Sequence, residues 1–184
     1  QFTYMGEASE SSSYLLYHFR QENELSRQCF RENKEAENIV FIDDFSLTGS
    51  QASTYLNKIQ KTPDWDHKKS IYILLMIASK EAINKINKKI NNLTILPCIM
   101  LDDKSKAFSD DSVVFANYNI NDKQQACQMC IHYGKKIIGK EKGMAELGFL
   151  NSGYLFGAYY NIPNNTLPIF WSTQNNWINL FKRY

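Results

Sequence analysis

Short runs of consecutive apolar residues alternate along the chain with longer segments in which apolar residues recur every three or four positions. Three such runs, at residues 39–42, 71–78 and 93–101, are typical of strands that are buried on both faces of a sheet. Segments that begin at Ser50 and Ser79 carry the amphipathic pattern of helices. Buried strands separated by amphipathic helices predict an α/β fold with a doubly wound, mainly parallel sheet.

Weaker patterns fill the rest of the chain. Residues 14–20 predict a first helix, and residues 122 to about 138 predict a later one. Short apolar runs at 113–115 and 153–160 predict two further strands. We expect the chain to form a single domain over residues 1–184. Because the sequence lacks an initiator Met, we expect it to be part of a longer protein, and N-terminal parts of the fold could precede it.

Composition and charge narrow the class of protein. Hydrophobic residues make up 43% of the 184 residues, which excludes a disordered tail or a disulfide scaffold. The 21 Lys and Arg exceed the 19 Asp and Glu by two, so charge gives no direct signal for nucleic acid. No apolar run approaches the roughly 18 residues of a membrane span, so we expect no membrane partner. Four cysteines without a secretory signal indicate a reduced, cytoplasmic compartment.

The strongest candidate chemistry lies where the first buried run meets two adjacent acids, Asp43 and Asp44. Carboxylates are good acceptors for paired sugar hydroxyls, and at least one of the two is expected to face a ligand pocket. A short turn follows, in which Gly49 lets the backbone approach a ligand closely. The N–H groups and dipole at the start of the next helix favour a phosphate. Together these features suit a phosphorylated ribose.

This segment resembles the phosphoribosyl-diphosphate motif of type I phosphoribosyltransferases, which has four apolar residues, two acids and a turn rich in Thr and Gly. The resemblance implies that Asp43 and Asp44 bind the ribose hydroxyls at the catalytic centre. It also implies that the 5′-phosphate is bound by the residues that follow them, which are Phe45, Ser46, Leu47, Thr48, Gly49, Ser50 and Gln51. Ser50 and Gln51 depart from the Gly and Thr that the family often has there. The alternatives are a chance Asp-Asp at a strand end or another α/β site. Receiver domains also have acidic strand ends, whereas haloacid-dehalogenase-like phosphatases need an Asp-x-Asp that this turn lacks.

The loop before the first helix extends the resemblance. In the family this loop binds the pyrophosphate of the donor, and Mg²⁺ is bound through that pyrophosphate. The matching candidates here are Ser9, Ser11 and Ser12. The loop has no Lys or Arg and carries Glu7 and Glu10, so a plain serine-rich helix cap is the alternative.

A third segment, residues 160–171, reads Tyr-Asn-Ile-Pro-Asn-Asn-Thr-Leu-Pro-Ile-Phe-Trp. It resembles the signature of phosphoribosyltransferase-like domains (PRTase-CE type) from bacterial conflict and defence systems, some of them associated with retrons. Its candidate ligand-binding residues are Asn164, Asn165 and Thr166. Because the segment follows a predicted strand, we expect it at the same sheet edge as Asp43. The alternative is a turn that is capped by Asn side chains.

The resemblance implies an enzyme that binds phosphoribosyl diphosphate or a related nucleotide with Mg²⁺. It would transfer the phosphoribosyl group to an unknown acceptor, in antiviral defence with a defence-system protein as partner. Residues 21–38 are short for the mobile lid of the family, so a non-catalytic sensor that regulates a partner effector is the alternative. A scaffold with a relic site is a third possibility. The single pair Cys127 and Cys130 is too small a ligand set for zinc and is expected in the core.

Overall fold

The computed structural model describes residues 1–6, 11–63, 65, 68–138, 143–159 and 161–182. The chain divides into two compact units, Gln1–Leu101 and Asp102–Tyr184. Whether the two units fold as one domain is not tested by this division, so the single domain over 1–184 stays a prediction. Within the described ranges, every helix is too short or too polar to cross a lipid bilayer.

The first unit is built on a four-stranded sheet in which every neighbouring pair of strands is parallel. Its strands are β1 (Phe2–Tyr4), β2 (Asn38–Ser46), β3 (Ser70–Ser79) and β4 (Leu93–Leu101). Its helices are α1 (Ser11–Glu22), α2 (Ser50–Ile59) and α3 (Lys80–Asn87). The predicted α/β fold with a mainly parallel sheet is confirmed. The sequence did not predict β1, because three residues are too few to show a pattern.

Helices cover both faces of this sheet. Phe41 of β2 packs edge-on against Tyr55 of α2, in a core that also includes α3. On β1, Phe2 pairs with Val40, the residue before Phe41, so its side chain points to the opposite face. There the ring of Phe2 lies 5.4 Å from that of Phe19 of α1. The sheet therefore has α2 and α3 on one face and α1 on the other, as the doubly wound prediction requires.

The strands lie side by side in chain order, β1-β2-β3-β4. Since the sheet grows in one direction while α1 and α2 lie on opposite faces, the connection through α1 has the opposite hand to the connection through α2. Parallel strands are otherwise joined almost always by right-handed crossovers. In this strand order β2, which carries the acids, is an inner strand with hydrogen-bonded neighbours on both sides.

Boundaries in this unit agree closely with the sequence pattern. The helix predicted to begin at Ser79 is α3, which Ser79 caps and which ends at Asn87. β4 runs unbroken through Pro97. Proline lacks an N–H group, and β4 lies at the edge of the sheet, where a missing donor is tolerated.

The second unit contains one long helix, α4 (Ile120–Ile137), with short 3-10 turns and loops around it. The predicted helix is confirmed. It begins two residues earlier than predicted, because the side chain of Asn119 accepts a hydrogen bond from the backbone N–H of Asp122. Its core includes Ala107, Cys130 and Leu167.

The two strands predicted in the second unit are wrong. Residues 113–115 form a turn, in which Val113 and Val114 are 63% and 46% exposed, so this short apolar run is not buried. The described part of 153–160 makes only isolated bridges, such as that of Tyr154 with Thr166. Gly153 has a φ of 62°, a left-handed conformation that extended strands do not use. Without that strand, the reason for expecting residues 160–171 at the edge of Asp43 is lost.

Candidate functional site

The acid pair lies inside β2, because the strand continues to Ser46 instead of ending before Asp43. Asp43 pairs with Leu75 of β3. Neighbouring side chains of a strand point to opposite faces, so Asp43 and Asp44 face opposite sides of the sheet. Their exposed fractions are 9% and 6%. Both side chains are therefore largely buried, and the expectation that one of them faces a ligand pocket stays a prediction.

The two carboxylates form short local hydrogen bonds. Asp43 Oδ1 accepts from the backbone N–H of Asp44 at 3.0 Å, and Asp44 Oδ1 accepts from that of Phe45 at 2.8 Å. Within the described residues, Asp44 Oδ2 is buried and has no hydrogen-bond partner. A buried charged oxygen without a donor is costly. Asp44 Oδ2 is therefore an acceptor that a ligand hydroxyl or a cation would satisfy.

The turn after β2 is shaped by Gly49, which has a φ of 66° and stands directly before α2. A Cβ atom at this position would lie 2.9 Å from the carbonyl oxygen of Ala82 in α3. Both the left-handed backbone and this close contact require glycine. In this structure the group that Gly49 admits is the backbone of α3. The two residues before it, Leu47 and Thr48, are buried.

Ser79 ties the turn to α3, a role that the sequence did not reveal. Its hydroxyl donates to the carbonyl oxygen of Leu47 at 2.6 Å and accepts from the N–H of Ala82 at 2.9 Å. Ser79 ends β3 and is fully buried. The carboxyl ends of parallel neighbours meet at one edge of a sheet, and this rule was the available signal for the contact.

Hydroxyl and ammonium groups gather at the start of α2. Thr48 Oγ1 lies 3.2 Å from Ser50 Oγ, and Lys85 Nζ of α3 donates to the same Ser50 Oγ at 2.7 Å. Ser50 is partly buried and Gln51 is exposed. The sequence pattern did not predict this position of Lys85. Its approach to Ser50 depends on how α2 and α3 pack, which no local pattern encodes.

The predicted pyrophosphate loop is described in part. Ser9 lies outside the described residues, and Ser11 begins α1 as a partly buried residue. Ser12 is fully buried, and its hydroxyl donates to the carbonyl oxygen of Met5 at 2.8 Å. Ser12 thus joins the start of α1 to the end of β1. This position does not support a direct contact between Ser12 and a ligand, because the Ser12 side chain is fully buried.

In the second unit, the segment with Asn164, Asn165 and Thr166 is held by its own hydrogen bonds. The amide of Asn165 donates to Ser152 Oγ at 3.0 Å, and the hydroxyl of Thr166 donates to the carbonyl oxygen of Phe156. Asn164 Oδ1 is buried and lacks a hydrogen-bond partner in the part of the chain that the structure describes. Thr166 also lines a cavity of about 620 Å³ within this unit. Ligand binding by these residues stays a prediction.

The cysteines of α4 are poor candidates for chemistry. Burial raises the pKa of the Cys130 thiol to about 11 and also raises the pKa of Cys127. Protonated thiols are weak nucleophiles and weak metal ligands. Among the described residues, no cluster of three or more His, Cys, Asp or Glu side chains could hold a metal ion.

Comparison with known proteins places this geometry in a family. The family model PRTase-CE matches residues 1–183, which is nearly the whole chain. The chain belongs to the PRTase-CE family. The resemblance read from the acid pair and the Asn-Asn-Thr segment is thereby confirmed, and the chain is a phosphoribosyltransferase-like domain.

Other comparisons add little to the PRTase-CE assignment. The chain is similar to a solved structure titled "Structure of AQ2163 protein from Aquifex aeolicus", with 21% identity and a TM-score of 0.32. The similarity covers 42% of this chain and 36% of that chain. This PRTase-CE chain therefore spans about a third of the length of the Aquifex aeolicus protein. A likeness at that level carries no argument about function. The comparison with curated proteins gives no match.

Proposed function

We propose that this PRTase-CE domain binds phosphoribosyl diphosphate, or a closely related nucleotide, at the carboxyl end of β2. One observation carries the proposal: the unpartnered, buried Oδ2 of Asp44 lies just before the Gly49 turn and the start of α2. The carboxylate of Asp44 would accept a ribose hydroxyl. The helix start, from Thr48 to Gln51, would bind the 5′-phosphate. This arrangement supports recognition of a sugar that carries a phosphate on one side.

We propose further that Mg²⁺ accompanies the donor. Mg²⁺ prefers oxygen ligands and is usually held by one or two carboxylates together with substrate phosphates. The carboxylate of Asp44, whose Oδ2 has no hydrogen-bond partner among the described residues, fits this requirement. Since the described residues offer no larger group of potential metal ligands, the pyrophosphate of the donor would supply most of the coordination.

The reaction that we propose is displacement of pyrophosphate from the anomeric carbon by an acceptor. The bond between that carbon and the pyrophosphate oxygen breaks, and a bond to the acceptor forms. The chain's own residues would contribute mainly by positioning the ribose and by electrostatic stabilisation. The resemblance to domains of bacterial conflict systems supports a role in antiphage defence, in the cytoplasm, with a defence-system protein as partner. Loss of protection in a plaque assay by the double variant D43N/D44N would test that role.

Calorimetric titration tests the binding step. Phosphoribosyl diphosphate is titrated into the protein with Mg²⁺ and, as a control, with EDTA. We expect saturable binding that weakens without the metal. A ligand at about a hundred times its dissociation constant should also raise the free energy of unfolding by roughly 2.7 kcal/mol. If neither binding nor stabilisation is seen at millimolar donor, the proposal is wrong.

A non-catalytic sensor remains the second candidate, and a specific observation favours it. Between α1 and β2 the chain forms only a short 3-10 helix, Arg27–Phe30, in place of a long lid. The loop before α1 also has no Lys or Arg to stabilise a leaving pyrophosphate. An assay for released pyrophosphate, run with donor and candidate acceptors, separates the two. Binding without release in any condition would favour the sensor.

A further inference from the structure

A lysine from α3 reaches the start of α2. The Nζ atom of Lys85 donates a hydrogen bond to Ser50 Oγ at 2.7 Å, across 35 positions of sequence. Ser50 is the first residue of α2, and its oxygen also lies 3.2 Å from the hydroxyl oxygen of Thr48. A full positive charge therefore lies beside the hydroxyls and the helix start that form the proposed phosphate site.

Lys85 is held there by a fixed relation between its helix and the turn. The hydroxyl of Ser79 bonds both the carbonyl oxygen of Leu47 and the first turn of α3. Gly49 lies against the backbone of Ala82, so close that no side chain fits between them. Because α3 is anchored at these two points, Lys85 is brought to the turn by packing as well as by its own flexibility.

Within the described ranges, no carboxylate forms an ion pair with Lys85. Among the described residues, Ser50 is its only side-chain partner, and no ion pair involves it. A lysine that is positioned by a hydroxyl and lacks a counter-ion is suited to an anion. A phosphate monoester carries between one and two negative charges near neutral pH and strong acceptor oxygens.

We propose that Lys85 binds the 5′-phosphate of the ligand and so acts as a specificity residue for phosphorylated over neutral sugars. The inference rests on the proposed function. The family often has Gly where this chain has Ser50, so the hydroxyl that positions Lys85 belongs to this chain's departure from the motif. The ammonium group adds a full charge to the partial charges of the helix start, and charge-assisted hydrogen bonds are the stronger kind.

The test compares two lysine variants of the whole chain. Lys85→Met removes the ammonium group and keeps an unbranched side chain of good helix propensity, so the fold should persist. Lys88→Met is the matched control, because Lys88 is an exposed lysine at the end of the same helix. Calorimetry is run with two probes, ribose 5-phosphate and inorganic pyrophosphate with Mg²⁺.

We expect Lys85→Met to weaken ribose 5-phosphate binding about tenfold, the lower end for a charge-assisted hydrogen bond, and to leave pyrophosphate binding unchanged. Lys88→Met should match the parent for both probes. If Lys85→Met binds ribose 5-phosphate as the parent does, the inferred role of Lys85 is wrong, while the proposed function is unaffected. Equal losses in both variants also overturn it, since they indicate a general charge effect. If the parent protein binds neither ribose 5-phosphate nor phosphoribosyl diphosphate, the proposed function fails as well.

Discussion

The two oxygens of the Asp44 carboxylate have different surroundings. Oδ1 accepts from the N–H of Phe45 at 2.8 Å, whereas Oδ2 is buried without a donor in the described part of the chain. A stability-driven design would avoid such an oxygen, because burying unpaired charge is costly. Function is the common reason for keeping a costly group. This difference makes Asp44 the sharper probe of the acid pair.

We predict that Asp44→Asn weakens donor binding without lowering stability. The amide keeps the shape and one acceptor oxygen but removes the buried charge. Affinity for phosphoribosyl diphosphate with Mg²⁺ should fall about ten- to a hundredfold, as for a lost charge-assisted hydrogen bond. The free energy of unfolding should stay equal or rise. Titration calorimetry and thermal unfolding measure the two quantities, with Asp43→Asn as the companion variant. If both variants bind as the parent does, the acids are structural.

Gly49 illustrates how far a motif residue can be interpreted from sequence alone. The motif suggested a glycine that lets the backbone approach a ligand closely. The structure adds a φ of 66° and a 2.9 Å approach to Ala82. A large substitution there would disturb the contact between α2 and α3, so it cannot isolate ligand binding. The contact with Ala82 is tertiary and leaves no trace in the motif.

We predict that Gly49→Ala costs clearly more stability than Gly153→Ala. Both glycines have left-handed φ values, 66° and 62°, for which alanine pays roughly 1–2 kcal/mol. At Gly153 no described atom beyond the flanking residues lies nearer than 3.9 Å to an added Cβ, so only the backbone term applies. At Gly49 the clash with the backbone of α3 adds to it. Denaturant unfolding measures both variants, and equal losses would show that the turn can move away from α3.

At the scale of elements, β2, α2, β3, α3 and β4 were predictable because their patterns are local and repeated. A continuous apolar run of about four or more residues, or a clear helical period, is enough to indicate a buried strand or an amphipathic helix. The failures share the opposite property. β1 has three residues, and the run at Val113 is short and exposed. Length separates these two short segments from the predicted strands, whereas burial does not, because Leu96 and Ile99 of the predicted β4 are 50% and 55% exposed.

Ser79 shows how one element supports the site in another. It caps α3 through the N–H of Ala82 and holds the turn after β2 through the carbonyl oxygen of Leu47. The cap was predicted, because a serine before an amphipathic run is a local signal. The second bond was not, because Leu47 is 32 positions away and becomes a neighbour only through the pairing of β2 with β3.

We predict that Ser79→Ala reduces both stability and ligand affinity. Loss of a helix cap costs about 1 kcal/mol. Loss of the hydrogen bond to the carbonyl oxygen of Leu47 should also loosen the turn after β2, which belongs to the proposed phosphate site. Asn119→Ala is the control, since Asn119 caps α4 in the second unit. It should lower stability by a similar amount and leave affinity for ribose 5-phosphate unchanged. Equal affinities in the two variants would mean that Ser79 serves only the helix.

At the scale of the whole molecule, the candidate residues divide between the two units. The first unit contains the two acids, the turn after β2 and Lys85. The second unit contains Asn164, Asn165 and Thr166. The first group was predictable because it follows one strand in sequence. The position of the second group was predicted from a strand at residues 153–160. That strand does not form within the described residues, and isolated bridges are found there instead. Only a measurement on the whole chain can show whether one ligand engages both groups.

Hydrogen exchange of the intact chain provides that measurement. With phosphoribosyl diphosphate and Mg²⁺, we predict slower exchange in peptides that cover residues 43–51, because a bound phosphate would restrain the turn and the start of α2. The same should hold for peptides that cover residues 164–166. Peptides from α4 serve as an internal reference, and the Asp44→Asn protein under identical conditions should show neither effect. Protection at 43–51 alone would remove the second unit from the ligand site. Protection in neither segment at saturating donor would contradict the phosphoribosyl proposal itself.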